Sequence, residues 1–403
     1  MHHHQLLIFF ALLIFTFGLF SRLAERKSVT GPMVFMTVGI LGSSLVFGFI
    51  HATPDMGPVK LVAELALTLV LFIDASLIDK SALAGASPRI PTRLLLIGLP
   101  LTMIFGTLLG VVMFDGVSIW AIVLMALILS PTDAALGQAV VKSEDVPTRI
   151  RQSISVESGL NDGIALPPIL ICMALLGAEA GEHEGEWLGF VIKQVTLGPV
   201  VGLIVGWIGG TLIQKMSDRG WMEEQFQRLS ALPLAILAFA FAESVEGNGF
   251  IAAFVAGLGL TIGITSHKIR HQVQEFGETE GTQLILVVFL IFGLAMIPAA
   301  VPHWGWPELA YALASLTVLR MVPVAISMIG GNLDLKTIAF MGWFGPRGIA
   351  SVLYLLMAVA AIGVEGHETI MSVIVLTIAI SVYAHGISAN PLSKRYGKSA
   401  SID

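Results

Sequence analysis

Asp74, Asp133, Glu157, Asp162 and Glu243 lie inside long apolar stretches of the chain, and so do Arg320 and Arg347. An ionisable group at the centre of a bilayer is expensive, so each one retained there marks a functional hypothesis. The run Glu157-Ser158-Gly159-Leu160-Asn161-Asp162-Gly163 carries the most chemistry. Helical residues four apart share a face. Asp162 therefore has the Ser158 hydroxyl one turn before it, and Glu157 has the Asn161 amide one turn after it. A second run, Ser130-Pro131-Thr132-Asp133, sets a hydroxyl and a carboxylate beside a proline that interrupts helical hydrogen bonding. The Asp162 carboxylate, the Ser158 and Thr132 hydroxyls, carbonyls freed at a helix break and water make an all-oxygen ligand set. Hard cations prefer such oxygens, and Na+ is one. The same carboxylate can hold a proton instead. Competition between proton and cation for one site then couples their opposing fluxes.

Each of these residues also has a plainer reading. Asp162 can be a hydrogen-bonded structural carboxylate, and the Thr132 and Ser158 hydroxyls can turn back onto carbonyls four residues earlier. Asp133 is placed either as a ligand or as a neutraliser of positive helix ends. Glu157 and Arg347 are expected to form a buried structural pair that holds Asn161, since an unpartnered arginine at that depth is costly. Arg320 either snorkels or pairs with a carboxylate. Glu243, with Ser244 and Glu246, is either the mouth of an ion funnel or a solvated helix end.

The elements that position these groups are membrane helices. Of 403 residues, 55% are hydrophobic and only 12% are Asp, Glu, Lys or Arg, about half the charge of a soluble domain. Mean hydropathy is +0.86. The one cysteine, Cys172, excludes an internal disulfide and reads as a buried apolar residue. A helix needs about 20 apolar residues to cross the hydrocarbon core. Thirteen stretches qualify: 5–21, 31–50, 59–79, 93–114, 117–141, 151–176, 187–213, 229–245, 248–265, 282–301, 306–328, 336–363 and 368–390. Runs of this length exclude a transmembrane barrel, whose strands are about ten residues long.

Positive charge supports the count. Alternate loops hold most of the 22 Lys and Arg residues, among them Arg22, Arg26, Lys27, Lys80, Arg89, Lys142, Arg149, Lys215, Arg219, Arg228, Lys268 and Arg270, and the tail adds Lys394, Arg395 and Lys398. An opposite loop is acidic, with Glu179, Glu182, Glu184 and Glu186. The positive-inside rule places the N-terminus outside and the C-terminus in the cytoplasm of an inner membrane. Met1-His2-His3-His4 opens the first span without a basic flank and is given no metal role.

Two spans carry central breakers: Ser130-Pro131 in the fifth and Gly345-Pro346-Arg347-Gly348 in the twelfth. They lie seven spans apart and so run in opposite directions. Interrupted helices at matching places in inverted halves point to a secondary transporter site. Crossed breaks would bring four half-helix ends together, with Asp133 offsetting the positive ends and Arg347 the negative ones. Pro323, in the eleventh span, is expected only to kink it. Gly202, Gly206, Gly209 and Gly210 are expected to permit close helix packing.

The sequence resembles the monovalent cation:proton antiporters, in particular the sodium/proton exchanger branch with an Asn-Asp pair in the sixth helix. The resemblance covers nearly the whole chain. It rests on SPTDA at 130–134, ESGLNDG at 157–163, NGFIAAFVAGL at 248–258, GPRG at 345–348 and HGISANPL at 385–392. It implies that Asp162 carries the ion and the proton, that Thr132 and Ser158 help ligate the cation, and that Glu157 and Arg347 hold Asn161. Asp74 matches an acidic position of the family's third span. The resemblance further implies a homodimer and an electroneutral exchange of one cation for one proton. It divides the chain into an ion-binding part (93–176 and 306–390) that moves against a dimerisation part (5–79 and 187–301).

Na+ or Li+ is the expected cargo, with K+ as the alternative, and no cofactor, nucleic-acid partner or regulatory domain is expected. A passive channel would need a continuous polar pore, whereas the polar groups here cluster at one depth. An intramembrane enzyme is disfavoured by the lack of a His-Glu-x-x-His run and of a serine-histidine pair at one depth. A sensor without transport would need an output domain, and about a dozen residues follow the last span.

Overall fold

The computed structural model describes residues 3–50, 53–54, 57–78, 89–133, 136–141, 143–179 and 187–400. His2, Lys80, Lys142, Glu182, Glu184, Glu186 and Ala134 of the 130–134 motif fall outside the described residues. The architecture is all-α, with no strand among the described residues. In chain order the longer helices are α1 (His3–Arg26), α2 (Gly31–Gly42), α3 (Gly57–Ser76), α4 (Leu99–Met113), α5 (Ile119–Ile128), α6 (Thr148–Glu179), α7 (Trp187–Asp218), α8 (Ala231–Ser244) and α9 (Gly249–Gly263). They continue as α10 (His267–Ile291), α11 (Trp306–Leu316), α12 (Val318–Ser327), α13 (Leu335–Trp343), α14 (Ile349–Ile362) and α15 (Glu368–Ala400). Six helical stretches among the described residues are long and apolar enough to cross a membrane uninterrupted.

Several boundaries depart from the hydropathy reading. The second span was expected to reach residue 50, but α2 ends at Gly42, where the Ser43 N–H closes on the Gly39 and Ile40 carbonyls. Gly48 then turns the chain at φ +64°. In the eleventh span the interruption falls at Thr317 (φ −120°, ψ −92°), between α11 and α12, while Pro323 sits inside α12. α10 starts at His267, well before the expected 282, because polar residues extend the helix beyond its apolar part.

The fifth and twelfth spans are interrupted. α5 stops at Ile128 and helix resumes at Gln138–Val141. α13 stops at Trp343 and α14 begins at Ile349. Pro131 and Pro346 explain why: neither can donate to a carbonyl one turn back.

The chain folds into two compact units. One comprises Met1–Lys60, Ser87–Ser158 and Ile285–Asp403 and contains both interruptions. Its buried core includes Ile90, Leu94, Ile150, Ile154, Val324, Phe340, Phe344 and Tyr396. Phe340 and Tyr396 stack at 4.2 Å, and the Tyr396 hydroxyl lies 2.7 Å from Thr337 Oγ1.

The other unit comprises Leu61–Ala86 and Gly159–Leu284, with a core that includes Leu69, Phe72, Ile73, Ala235, Ala256 and Leu260. Here α7 meets α9 backbone to backbone. A Cβ on Gly202 would fall 2.3 Å from the Ala252 carbonyl oxygen, and one on Gly206 2.1 Å from that of Ala256. Small residues spaced by one turn allow this approach, as in other membrane helix pairs.

Candidate functional site

The two helix breaks hold each other. The Asp133 N–H donates to the Pro346 carbonyl at 2.9 Å. Asp133 Oδ2 accepts the Ile349 N–H at 2.6 Å and so caps the first turn of α14. A carboxylate suits that end, where unbonded N–H groups concentrate positive charge. The contact leaves no room for a side chain at Gly348, since a Cβ there would lie 1.9 Å from Asp133 Oδ2. The second glycine of the 345–348 motif is thus a matter of space, its φ of −138° being open to any residue.

Carbonyls left by the first break find donors from the second. Ser351 donates its hydroxyl to the Ile128 carbonyl at 2.7 Å. Arg347, 0% exposed, directs one terminal nitrogen to the carbonyls of Ser130 (3.1 Å), Pro131 (3.3 Å) and Gly345 (3.3 Å). The backbone N–H of Arg347 donates to Ser381 Oγ at 2.7 Å. Irregular backbone is tolerated at membrane depth only when its polar groups are answered in this way.

Glu157 departs from expectation. It was expected to pair with Arg347, but Arg320 is its partner, with Arg320 Nη2 lying 2.6 Å from Glu157 Oε1. Both side chains are buried. The physical reason lies in the break. Arg347 is occupied by the Ser130, Pro131 and Gly345 carbonyls of the interrupted segments, which leaves Glu157 to the cation on α12. Gly345 makes room for this arginine, since a Cβ there would approach Arg320 Nε to 2.5 Å.

Thr132, within the first break, and Ser158, on α6, are brought together with their hydroxyl oxygens 3.2 Å apart. Both are buried. Asn161 and Asp162 follow on the same unbroken helix, at 1% and 4% exposure. The third-span helix lies along this stretch: a Cβ on Gly159 would be 3.7 Å from the backbone carbonyl of Asp74, whose side chain is half-buried. One turn on, Gly163 is covered by the Phe254 ring, which a Cβ would strike at 2.2 Å.

The first residues of the 248–258 motif serve capping. Asn248 Oδ1 accepts the Ile251 N–H at 2.9 Å, and Glu243 Oε1 accepts the Gly249 N–H at 2.8 Å. Glu243 is exposed and closes the start of α9. Neighbouring Glu246 pairs with Lys193 on the protein surface; that ammonium, as donor and as charge, holds the carboxyl below its ordinary range. The sequence left the partner of Arg320 open, carried His385 only as the first residue of the 385–392 motif and gave no role to Ser381 or Ser351. The expected lack of a serine-histidine pair at one depth does not hold, since Ser381 Oγ and His385 Nδ1 lie 3.1 Å apart one helical turn from each other. The breakers Pro131 and Pro346 were the signal that nearby side chains would be drafted to satisfy freed backbone.

A family model described as "Sodium/hydrogen exchanger, transmembrane" matches residues 8–395. The chain belongs to the sodium/hydrogen exchanger family. This exchanger-family chain is a multi-pass membrane protein of the monovalent cation:proton antiporter group. It is 24% identical over 382 residues to a K(+)/H(+) antiporter NhaP2 of Shewanella sp. (strain MR-4), covering 94% of this chain and 64% of the relative. It is 24% identical over 380 residues to the K(+)/H(+) antiporter NhaP of Alkalimonas amylolytica, covering 90% and 62%. The exchanger-family chain thus spans under two thirds of the length of these curated relatives. Its fold is similar to that of the sodium proton antiporter MjNhaP1 of Methanocaldococcus jannaschii at pH 8, with TM-score 0.77 and 18% identity over 96% of this chain and 98% of that one.

Proposed function

We propose that this protein is a secondary antiporter that exchanges Na+ or Li+ for H+, one for one and without net charge movement. The cation and the proton compete for the Asp162 carboxylate. Ser158 and Thr132 supply neutral hydroxyl oxygens to the cation. Asn161 belongs to the ion- and proton-binding set beside Asp162, Asp133 serves the helix ends, and Glu157, Arg320 and Arg347 form the surrounding scaffold, with Asp74 as an accessory acid. The observation that carries this reading is the 3.2 Å approach of Thr132 Oγ1 to Ser158 Oγ, beside a helix break and one helical turn before Asp162.

The geometry supports this chemistry. A cation needs several oxygens at once. A break supplies them without further charge, which leaves one carboxylate to decide between metal ion and proton. Access alternates as residues 93–176 and 306–390, the ion-binding part, move against residues 5–79 and 187–301, through which a homodimer forms. The N-terminus faces outward and the C-terminus the cytoplasm of the inner membrane, and the inverted halves cross at the two breaks.

Exchange of K+ for H+ is the second reading, favoured by the names of the Shewanella and Alkalimonas relatives. Purified protein in liposomes decides between them. A pH dye inside the vesicles should respond to Na+ and Li+ pulses, with the same rate whether or not valinomycin and K+ clamp the potential. Response to K+ alone would assign potassium. Cation flux without proton counterflow would refute antiport.

A further inference from the structure

His385 is 1% exposed, and no step of the exchange described above uses it. Its Nε2 lies 2.9 Å from the Trp343 carbonyl, at the end of α13. Its Nδ1 lies 3.1 Å from Ser381 Oγ and 3.0 Å from the Ser381 carbonyl, one turn earlier on α15. The Ser381 hydroxyl oxygen in turn accepts the Arg347 N–H at 2.7 Å. These contacts bridge the two flanks of the second break, from Trp343 on one side to Arg347 on the other.

The donors can be assigned. Arg347 N–H fills one lone pair of Ser381 Oγ, which leaves the Ser381 hydroxyl proton free to point at His385 Nδ1. Nδ1 then accepts, the ring proton sits on Nε2, and Nε2–H donates to the Trp343 carbonyl. Each neutral tautomer sets one ring lone pair against a carbonyl oxygen, that of Ser381 at 3.0 Å or that of Trp343 at 2.9 Å, but only the Nε2–H form also gives the Ser381 hydroxyl an acceptor at Nδ1. An imidazolium would add a third cation beside the buried guanidiniums of Arg320 and Arg347, and charges of one sign at that depth repel strongly.

We propose that His385 is a positioning residue of the exchange site. As a neutral Nε2–H donor working with Ser381, it straps the 344–348 break into the shape in which Arg347 meets the Ser130 and Pro131 carbonyls and Ile349 meets the Asp133 carboxylate. Its consequence for transport rests on the antiport reading above; the strap itself does not. Loss of the strap lets the Trp343 carbonyl and the Arg347 amide drift, and the oxygens that Arg347 and Asp133 orient drift with them.

The test reads two quantities in the full-length protein. His385→Leu removes the donor at similar bulk, His385→Gln keeps an N–H donor, and Ser381→Ala frees the Arg347 amide. Hydrogen–deuterium exchange over residues 343–349 should quicken in His385→Leu and Ser381→Ala. In liposomes the half-saturating cation concentration should rise about tenfold in His385→Leu, the worth of one buried hydrogen bond, and His385→Gln should recover most of it. Equal values for the Leu and Gln variants would overturn the proposal, because the donor would then be irrelevant. Wild-type amide protection in Ser381→Ala would overturn it too, even if the histidine variants do not fold. A wild-type protein that exchanges no cation would sink the antiport reading and leave amide protection to decide the strap.

Discussion

The pairing of Glu157 with Arg320 makes a prediction whose size follows from burial. Glu157 is 2% exposed and Arg320 1%, with 2.6 Å between the charged atoms. Glu157→Gln leaves a guanidinium in a dry site with no compensating charge at that distance. Arg320→Met strands the carboxylate. Removing one partner of a buried pair costs about 3–5 kcal/mol, whereas removing both charges is often close to neutral. The double variant Glu157→Gln/Arg320→Met should therefore be more stable than either single variant and lie within about 1–2 kcal/mol of wild type. The assay is unfolding in matched detergent, followed by tryptophan fluorescence across an SDS titration. The same cycle with Arg347→Met in place of Arg320→Met should give a smaller coupling, since Arg347 directs one terminal nitrogen to the carbonyls of residues 130, 131 and 345 and makes no ion pair with Glu157. Additive losses for Glu157 and Arg320, or a larger coupling to Arg347, would refute the assignment.

Other consequences are as direct. Asp162→Asn should abolish proton-coupled cation flux while the unfolding midpoint stays near wild type, as measured in the liposome and detergent assays side by side. Gly348→Ala should expel the Asp133 carboxylate from its cap on Ile349 and destabilise the protein by about 2–3 kcal/mol, the worth of a charge-assisted hydrogen bond with its buried partners left unmet; an unchanged midpoint would contradict the 1.9 Å clash. Gly206→Leu should separate α7 from α9 and lower the melting temperature well below that of Gly189→Leu, a position with open space around it. Asp334 caps α13 through the Thr337 N–H. Its hydrogen bonds, that to Thr337 first, hold its carboxyl below the usual range. A carboxyl lowered by folding adds stability above its unfolded pKa and loses it as pH falls through the folded value. Asp334→Ala should cost about 1 kcal/mol at neutral pH, and the gap to wild type should close on acidification.

Much of the architecture was legible because its causes are local. A bilayer fixes how long an apolar run must be, so hydropathy pointed to apolar helices, six of which among the described residues are long enough to cross uninterrupted. Proline withholds a donor wherever it stands, so Pro131 and Pro346 announced the two interruptions. Helical spacing set Ser158 and Asp162 one turn apart. Thr317 shows the limit of such signals: α11 and α12 separate there without a proline, while Pro323 is accommodated inside a helix. Polar residues likewise continue α10 and α15 beyond their apolar parts, because helical hydrogen bonds persist in water as well as in lipid.

The sequence by itself marked Asp133, Glu157, Asp162, Arg320 and Arg347 as buried charges, though it also counted the exposed Glu243, and it marked two of the places where the helix ladder fails and that the freed backbone there would need partners. It did not determine who those partners are. Partner choice depends on side-chain reach between segments distant in the chain, and two arginines of equal charge were available to one glutamate. Tertiary structure gave Arg347 to the carbonyls of the first break, Arg320 to Glu157, the Asp133 carboxylate to Ile349, and His385 with Ser381 to the flanks of the second break. Composition sets the number of charges inside a membrane, but only the packed backbone decides which oxygen or nitrogen each of them meets.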